Sequence, residues 1–388
     1  MIRRGLTASE HQPPTLRLFL CGDVMLGRGI DQILPQPCDP ALHEDYVHSA
    51  LEYVQLAEAA NGPIKRRAAP DYVWGAALKE LKRTRPDARI INLETSITRN
   101  EDYDPKGINY RMSPENADTL VAAHIDCCVL ANNHILDWGR AGLFDTLTTL
   151  KRLGIKSAGA GRTLEEARTG AVLPISGKGR VLVLSFAVPT SGTPRNWAAD
   201  LNTAGVNLLS DLSDATVHRT TNWINSQRRP GDVIVVSIHW GPNWGYEVSD
   251  AQRRFAHALV DGAEVSIIHG HSSHHAKAIE LYRDRLILYG CGDFLNDYEG
   301  IRGHEDYRDD LAVMYFVDIA ATSGAVSCIE LVPLRIKQFK LVAASAGDIE
   351  WLQQTLNRES RQFATSVAVT SPGHLTVRSI AGEIDSHQ

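Results

Sequence analysis

Short apolar runs, each followed by a polar cluster and then by a helical pattern, recur along this chain. Seven of these runs stand out, at 16–23, 88–94, 126–134, 180–188, 232–240, 263–271 and 285–294. Runs rich in Val, Ile and Leu and bounded by turn residues are typical of strands buried on both faces. The pattern therefore predicts sheets whose strands are covered on both sides.

Amphipathic segments with recognisable ends separate the predicted strands. Residues 139–153 are amphipathic and stop at Gly154, a residue that suits the left-handed cap of a helix. Ser113 and Pro114 open another helix, and Thr163 with Glu166 predicts a capping box. Further helices are predicted at 41–60, 74–83, 211–227, 249–260 and 348–363. This alternation, followed by hairpins, predicts an α/β fold, namely a two-sheet α/β sandwich flanked by helices.

The domain organisation follows from the same pattern. We expect a flexible N-terminal lead over residues 1–14, one domain over 15–345, and a C-terminal extension over 346–388 packed on that domain. The extension is expected to hold the helix near 348–363 and a short strand near 375–380. The segment 31–87 is too long for a plain connection, so we expect it to carry helices and to border the site.

Composition and charge narrow the class of protein. The chain has 388 residues, 43% hydrophobic and 22% charged, which excludes disordered, collagen-like and coiled-coil classes. The net charge is -6 without a basic stripe, so we expect no nucleic-acid partner. Six cysteines without a CxxC pair favour a reducing compartment. With no apolar run of about 18 residues, we expect a soluble, cytoplasmic protein without a membrane anchor.

Six of the predicted strands end in a side chain that can bind a metal or transfer a proton. These side chains are Asp23, Glu94, Asn133 with His134, His239, His269 with His271, and Asp293. Ligand sites in open α/β sheets lie beyond the carboxyl ends of the strands, so we expect the six ends to meet in one crevice. Neutral imidazoles with carboxylates suit Zn, Mn or Fe.

Each of these side chains also has a structural interpretation. Asp23 could cap a turn, Glu94 could be a paired structural acid, and His239 could be a hydrogen-bonded core residue. Asp137 lies three residues after His134 and could orient its imidazole. His304 lies in a predicted loop and could act as an acid or base. Trp240, Trp244 and Tyr246 could form a substrate wall or pack in the core.

Several motifs together resemble those of a known family. They are GDVMLGR (22–28), NLET (92–95), ANNHILDWG (131–139), SIHWG (237–241), GHSSHH (270–275) and YGCGDFLND (289–297). This set resembles the CapA-like proteins, a family named for capsule and poly-γ-glutamate synthesis and a divergent branch of the calcineurin-like metallophosphatase fold. The resemblance extends from about residue 16 to residue 332. It implies a metallophosphatase-like arrangement of the two predicted sheets.

The resemblance also implies site residues. The metal ligands would be Asp23, Glu94, Asn133, His239, His271 and His274, for one or two divalent ions (Mn, Zn or Fe). Met25 stands where the first family motif has His, which removes one ligand from the first metal position. The expected catalytic residues are His134, Asp137, Asp23 and His304. The expected substrate-binding residues are Arg28, Arg111, Trp240, Asn243 and Tyr246.

Three functions remain open at this point. The first is a metal-dependent enzyme for hydrolytic or acyl- or phosphoryl-transfer chemistry on a peptide or γ-glutamyl, capsule-type substrate. The second is a peptide epimerase that works without metal. Some soluble relatives have this activity, and Asp23 with His134 or His304 could supply the acid–base pair. The third is a non-catalytic component of a polymer-synthesis complex. Metal content distinguishes the first two.

Overall fold

Two β-sheets packed face to face form the centre of the fold in a computed structural model, which describes residues 14–371 and 373–380. The strands are β1 Thr15–Val24, β2 Ala88–Leu93, β3 Ser96–Ile97, β4 Arg111–Met112, β5 Cys127–Val129, β6 Lys156–Ala158, β7 Ala160–Gly161, β8 Ala171–Ile175, β9 Gly179–Ala187, β10 Gly205–Val206, β11 Asp232–His239, β12 Ile267–His271, β13 Ile279–Tyr282, β14 Arg285–Leu288, β15 Asp293–Leu295, β16 Leu311–Ala320, β17 Val326–Lys337, β18 Lys340–Ala343, β19 Thr365–Ser371 and β20 His374–Ser379. The helices are α1 Arg28–Ile33, α2 Ala50–Asn61, α3 Ala76–Thr84, α4 Asp118–Ala122, α5 Gly139–Arg152, α6 Leu164–Arg168, α7 Asp214–Gln227, α8 Asp250–Ala263 and α9 Ala346–Ser360.

The larger sheet has its strands in the order β19-β20-β17-β16-β1-β2-β5-β6, with β15 also beside β1 and β18 beside β17. Its strands β1, β2, β5 and β6 are parallel, and β15 pairs with β1 in parallel. The second sheet has the order β13-β14-β12-β11-β9-β8. Its four inner strands are parallel and both edge strands are antiparallel. Parallel inner strands place their carboxyl ends at one edge of each sheet, where the candidate residues lie.

The apolar core has three parts, which lie between four layers, namely two sheets and the helices on their outer faces. Leu18 and Ile90 from the first sheet pack with Val235 and Ile267 from the second between the two sheets. On the outer face of the first sheet, Phe19 and its neighbours pack under α1 to α5. The outer face of the second sheet packs against α7 and α8. Because successive side chains of a strand point to opposite faces, β1 contributes both to the core between the sheets and to the core under α1 to α5.

The predicted fold class, a two-sheet α/β sandwich flanked by helices, is confirmed by this topology. Helix α5 ends as expected before Gly154, whose φ is +75°. The helix predicted at 41–60 is shorter, because Ser49 and Glu52 form a capping box that starts α2 at Ala50. At Thr163 the structure gives half of the predicted box, since its hydroxyl accepts from Glu166 N.

The C-terminal region holds one strand more than predicted. Strands β19 and β20 form a hairpin on the edge of the larger sheet, and α9 packs Leu352 and Leu356 into the core between the sheets. The predicted lead at 1–14 lies, except for Pro14, outside the described residues, and the division at residue 345 stays a prediction. No helix in the described ranges combines the length and the apolar character needed to cross a bilayer.

Candidate functional site

The expected convergence of strand ends is observed at the edge shared by the two sheets. Asp23 lies one residue before the end of β1 and opposite Asp293 of β15, while His239 of β11 lies opposite His271 of β12. Glu94 follows β2 directly, and its Oε1 atom lies 3.6 Å from His239 Nε2. All five residues are buried, with at most 1% of their surface exposed. The crevice therefore combines acids from one sheet with imidazoles from the other.

Asp23, His239 and His271 form a first group whose ligand atoms lie within 4.8 Å of one another. His239 Nδ1 lies 2.7 Å from His271 Nδ1, and His239 Nε2 lies 2.9 Å from the side-chain oxygen of Asn133. The hydroxyl of Ser237 lies 2.7 Å from His271 Nε2. Burial lowers the pKa of both histidines well below the ordinary value, so they are neutral and able to bind a metal.

Asp23, His274 and Asp293 form a second group with the same compactness. His274 comes from the turn after β12, as expected, and its Nδ1 lies 2.9 Å from Asp293 Oδ1. Burial lowers the pKa of His274, but the charge and hydrogen bond of Asp293 outweigh it and the pKa is raised. Asp293 was expected to reach the crevice as one of the six strand ends, but it was not assigned as a metal ligand or a catalytic residue.

Three carboxylates crowd this crevice. Burial and the nearby Asp293 raise the pKa of Asp23 to about 7. Burial and the nearby Asp23 raise the pKa of Glu94 well above its ordinary value. Glu94 Oε2 is buried and has no hydrogen-bond partner among the described residues. Buried, unpaired carboxylate oxygens are costly, and a bound cation relieves that cost.

His134 and Asp137 form a hydrogen-bonded pair beside the carboxylates. Nδ1 of His134 lies 2.6 Å from Asp137 Oδ2, and its other nitrogen, Nε2, lies 3.8 Å from Glu94 Oε1. Asp137 also accepts a bond of 2.6 Å from Tyr110 N and pairs with Lys106 Nζ at 2.9 Å. Burial is the main cause that lowers the pKa of His134 to about 4, so the ring is neutral.

Lys106 is a site residue that the sequence analysis missed. Its ammonium group donates to the carbonyl of Asn133 and lies 3.3 Å from His134 Nδ1. The loop that carries it is fixed by the bond of 2.7 Å from Trp197 Nε1 to Asp104 Oδ2. A short polar loop gives no periodic signal, so only its position in the fold reveals this role.

Three of the expected substrate-binding residues have their donors occupied within the protein. Arg28 is buried and pairs with Glu44 Oε1 at 2.9 Å and with Asp297 Oδ1 at 2.5 Å. The guanidinium of Arg111 lies 3.9 Å from the centre of the Trp138 ring and donates to Asn100 O. Trp240 is buried and donates to Tyr289 O at 3.0 Å. A substrate role for these three residues stays a prediction without a contact that supports it.

The remaining candidates lie at the rim of the crevice. His304 is exposed and stacks on Trp244, with ring centres 3.8 Å apart, and Trp244 lies 5.3 Å from the ring of His274. Tyr246 lies edge-on to His275 at 4.6 Å. Asn243 is exposed and accepts from His274 N through its carbonyl. The structure thus places Trp244 and His274 between His304 and Asp23.

Comparison with known proteins identifies the family of this chain. The model of a family described as bacterial capsule synthesis protein PGA_cap matches residues 17–298. A Mycobacterium tuberculosis protein named probable polyglutamine synthesis accessory protein is 45% identical over 365 residues, covering 94% of this chain and 96% of that protein. The PGA biosynthesis protein CapA of Bacillus subtilis is 26% identical over 368 residues, covering 94% and 83% respectively.

Among solved structures, one described as a novel phosphatase from Mycoplasma pneumoniae is similar over 83% of this chain and 94% of that chain. The TM-score is 0.46 and the sequence identity is 10%. The resemblance to CapA-like proteins found in the motifs is confirmed by the family match and by the names of these relatives.

Proposed function

Since this chain belongs to the bacterial capsule synthesis protein PGA_cap family, we propose that it is a metal-dependent enzyme of polymer synthesis. It carries out hydrolytic or acyl- or phosphoryl-transfer chemistry on a peptide or γ-glutamyl substrate. The substrate class is supported by the names of the relatives, which refer to polyglutamine synthesis and to PGA biosynthesis. The reaction class is supported by the geometry of the crevice.

One observation carries the proposal of a metal. Buried carboxylates face neutral imidazoles, and one buried oxygen, Glu94 Oε2, has no hydrogen-bond partner in the described ranges. This donor set fits Zn, Mn or Fe. The residues that would hold the ion are Asp23, Glu94, Asn133, His239 and His271. When bound, such an ion polarises a carbonyl or phosphoryl oxygen and makes water more acidic.

His134 is the proposed acid–base residue. Its Nδ1 atom bonds to Asp137, which leaves Nε2 facing the crevice in one tautomer. The neutral ring accepts a proton at Nε2 from the attacking water and returns it to the leaving group. Lys106 pairs with Asp137 at 2.9 Å and so helps to hold this carboxylate beside the imidazole.

The same crevice supports a second candidate, a peptide epimerase that works without metal. The supporting observation is the raised pKa of Asp23, because a carboxylate with a pKa of about 7 suits proton abstraction near neutral pH. A third candidate is a non-catalytic component of a synthesis complex, in agreement with the word accessory in one relative's name.

Metal analysis of protein purified without chelator tests the proposal, together with assays on γ-glutamyl oligomers for chain cleavage and for D/L ratio. We expect bound metal, and cleavage that stops on chelation. His134→Ala should lower turnover at least tenfold with metal content unchanged, whereas His239→Ala should lose both. His218→Ala, an exposed histidine on α7, is the matched control. A full change of the D/L ratio by metal-free protein would instead support the epimerase. Metal-loaded protein that shows neither activity would support the accessory role.

A further inference from the structure

Two cavities on the surface of the protein flank the end of α6. The first has a volume of about 650 Å³ and lies between Arg168, the segment 207–210 and helix α7. The second has a volume of about 680 Å³ and lies between Glu166, Gly170, the last turns of α5 and strand β6. Cationic side chains line both cavities. The two cavities with these side chains are named the basic furrow here, and the cations are Lys151, Lys156, Arg162, Arg168 and Arg219.

The cations of the basic furrow lack acidic partners. Within the part of the chain that the structure describes, none of the five forms a salt bridge with a carboxylate. Arg219 Nη2 donates to Thr216 Oγ1 at 2.9 Å, and the guanidinium of Arg162 lies 4.5 Å from the centre of the Phe144 ring. Glu166 is the one acid among the described residues that line the two cavities. Since the whole chain has a net charge of -6, this surface reverses the overall charge and attracts anions.

One end of the basic furrow lies at the same end of the smaller sheet as the crevice. Asn207 lines the first cavity, and its carbonyl accepts a bond of 3.1 Å from Ala187 N. Ala187 ends β9 and lies opposite His239 of β11. A chain that occupies the crevice can therefore continue along the furrow.

We propose that the basic furrow binds the anionic γ-glutamyl chain outside the crevice and holds it while one segment lies at the site. The inference rests on the proposed function, which supplies the substrate class. A γ-glutamyl chain carries a carboxylate on each residue, and arginine binds carboxylates through its planar fork of donors. Each exposed contact contributes little, but several contacts on one chain act together. Cations spread over two cavities suit such a repeated charge.

Fluorescence anisotropy of labelled poly-γ-glutamate, titrated with the full chain at low salt, tests the furrow. Chelator is present throughout, so that a metal in the crevice contributes nothing to the affinity. We expect the double variant Arg168→Gln with Arg219→Gln to bind about tenfold more weakly than the wild type, because two charged contacts are lost from the first cavity. Lys151→Gln with Lys156→Gln should cause a similar loss at the second cavity.

The matched control removes the same charge from another surface. Lys79 and Lys82 are exposed residues of α3, which packs on the outer face of the larger sheet. Lys79→Gln with Lys82→Gln should change the affinity by less than about twofold, since the furrow is intact. Added sodium chloride should weaken binding by the wild type and narrow its difference from the furrow variants, because salt screens exposed charges.

Three outcomes would overturn the inference. They are a wild-type chain that does not bind the polymer, folded variants of both cavities that bind it as tightly as the wild type, and single-stranded DNA of equal charge that binds more tightly than poly-γ-glutamate. Circular dichroism shows whether each variant is folded. Metal content is measured on protein purified without chelator, so a failure of the furrow is distinguishable from a failure of the proposed function.

Discussion

Asp348 connects the start of α9 to the loop that precedes β16, and its charge is expected to stabilise the fold. Its Oδ2 atom accepts bonds from the backbone and hydroxyl of Ser345, at 2.9 and 2.7 Å. Its Oδ1 atom accepts a bond of 2.5 Å from Arg308 Nη2. Burial by itself raises the pKa of Asp348, but these hydrogen bonds outweigh it and lower the pKa to about 2.

The lowered pKa can be converted into a free energy of unfolding. An ordinary aspartate has a pKa of 3.8, and a tenfold change in proton affinity corresponds to about 1.4 kcal/mol. The charge of Asp348 therefore contributes about 2 kcal/mol at pH 7. Because the folded pKa is depressed, this contribution is complete above pH 4 or so. It falls to roughly half near pH 3 and is lost as the pH passes below about 2.

Asp348→Asn removes the charge and keeps an oxygen that accepts from Ser345. Urea unfolding at pH 7 should show a loss of about 2 kcal/mol relative to the wild type, and the difference should shrink toward pH 3. Glu350→Gln, an exposed acid on the same helix, is the control and should change stability by less than about 0.5 kcal/mol. A loss that is equal at pH 7 and at pH 3 would refute this reasoning.

Three further substitutions have expected outcomes. Gly22→Ala should prevent stable folding or cost more than about 3 kcal/mol in denaturant unfolding, because a Cβ there would lie 1.6 Å from Gly292 O. His304→Ala should leave metal content unchanged and lower the unfolding free energy by about 1 kcal/mol, the value of one aromatic contact with Trp244. Ser249→Ala should lower the thermal midpoint by an amount that corresponds to about 1 kcal/mol, since Ser249 caps α8.

Controls and contrary outcomes accompany these substitutions. Gly347→Ala in α9 should be neutral or stabilising, because the nearest atom to its Cβ lies 3.9 Å away. Equal losses at Gly22 and Gly347 would contradict the steric argument. Loss of metal in His304→Ala would contradict its position at the rim. An unchanged midpoint in Ser249→Ala would show that the cap of α8 contributes nothing measurable.

The convergence of the site could be predicted because it depends on a general property of parallel sheets. Asp23, His239 and His271 end apolar runs, and runs that form parallel strands finish at one edge. The pairing of His134 with Asp137 depends on a separation of three residues, which is short enough to be visible in the sequence. These features need no knowledge of which distant segments meet.

The remaining features depend on contacts between segments far apart in the chain. Arg28 looked available for substrate, but its partner Asp297 lies 269 residues away and no local pattern indicates that pair. Lys106 reaches the site because its loop bonds to Trp197, 93 residues from Asp104. The position of Asp293 opposite Asp23 follows from strand pairing with β1, which periodicity alone does not determine.

The two halves of the crevice belong to different sheets, which has a mechanical consequence. Asp23 and Asp293 belong to the larger sheet, and His239 and His271 belong to the smaller one. Their spacing is therefore set by the apolar layer between the sheets, where Val235 and its neighbours act as the spacer. Any ligand of the crevice therefore joins the two sheets. Small changes in side-chain volume in the apolar layer between the sheets would alter the spacing of the site and so weaken the binding of that ligand.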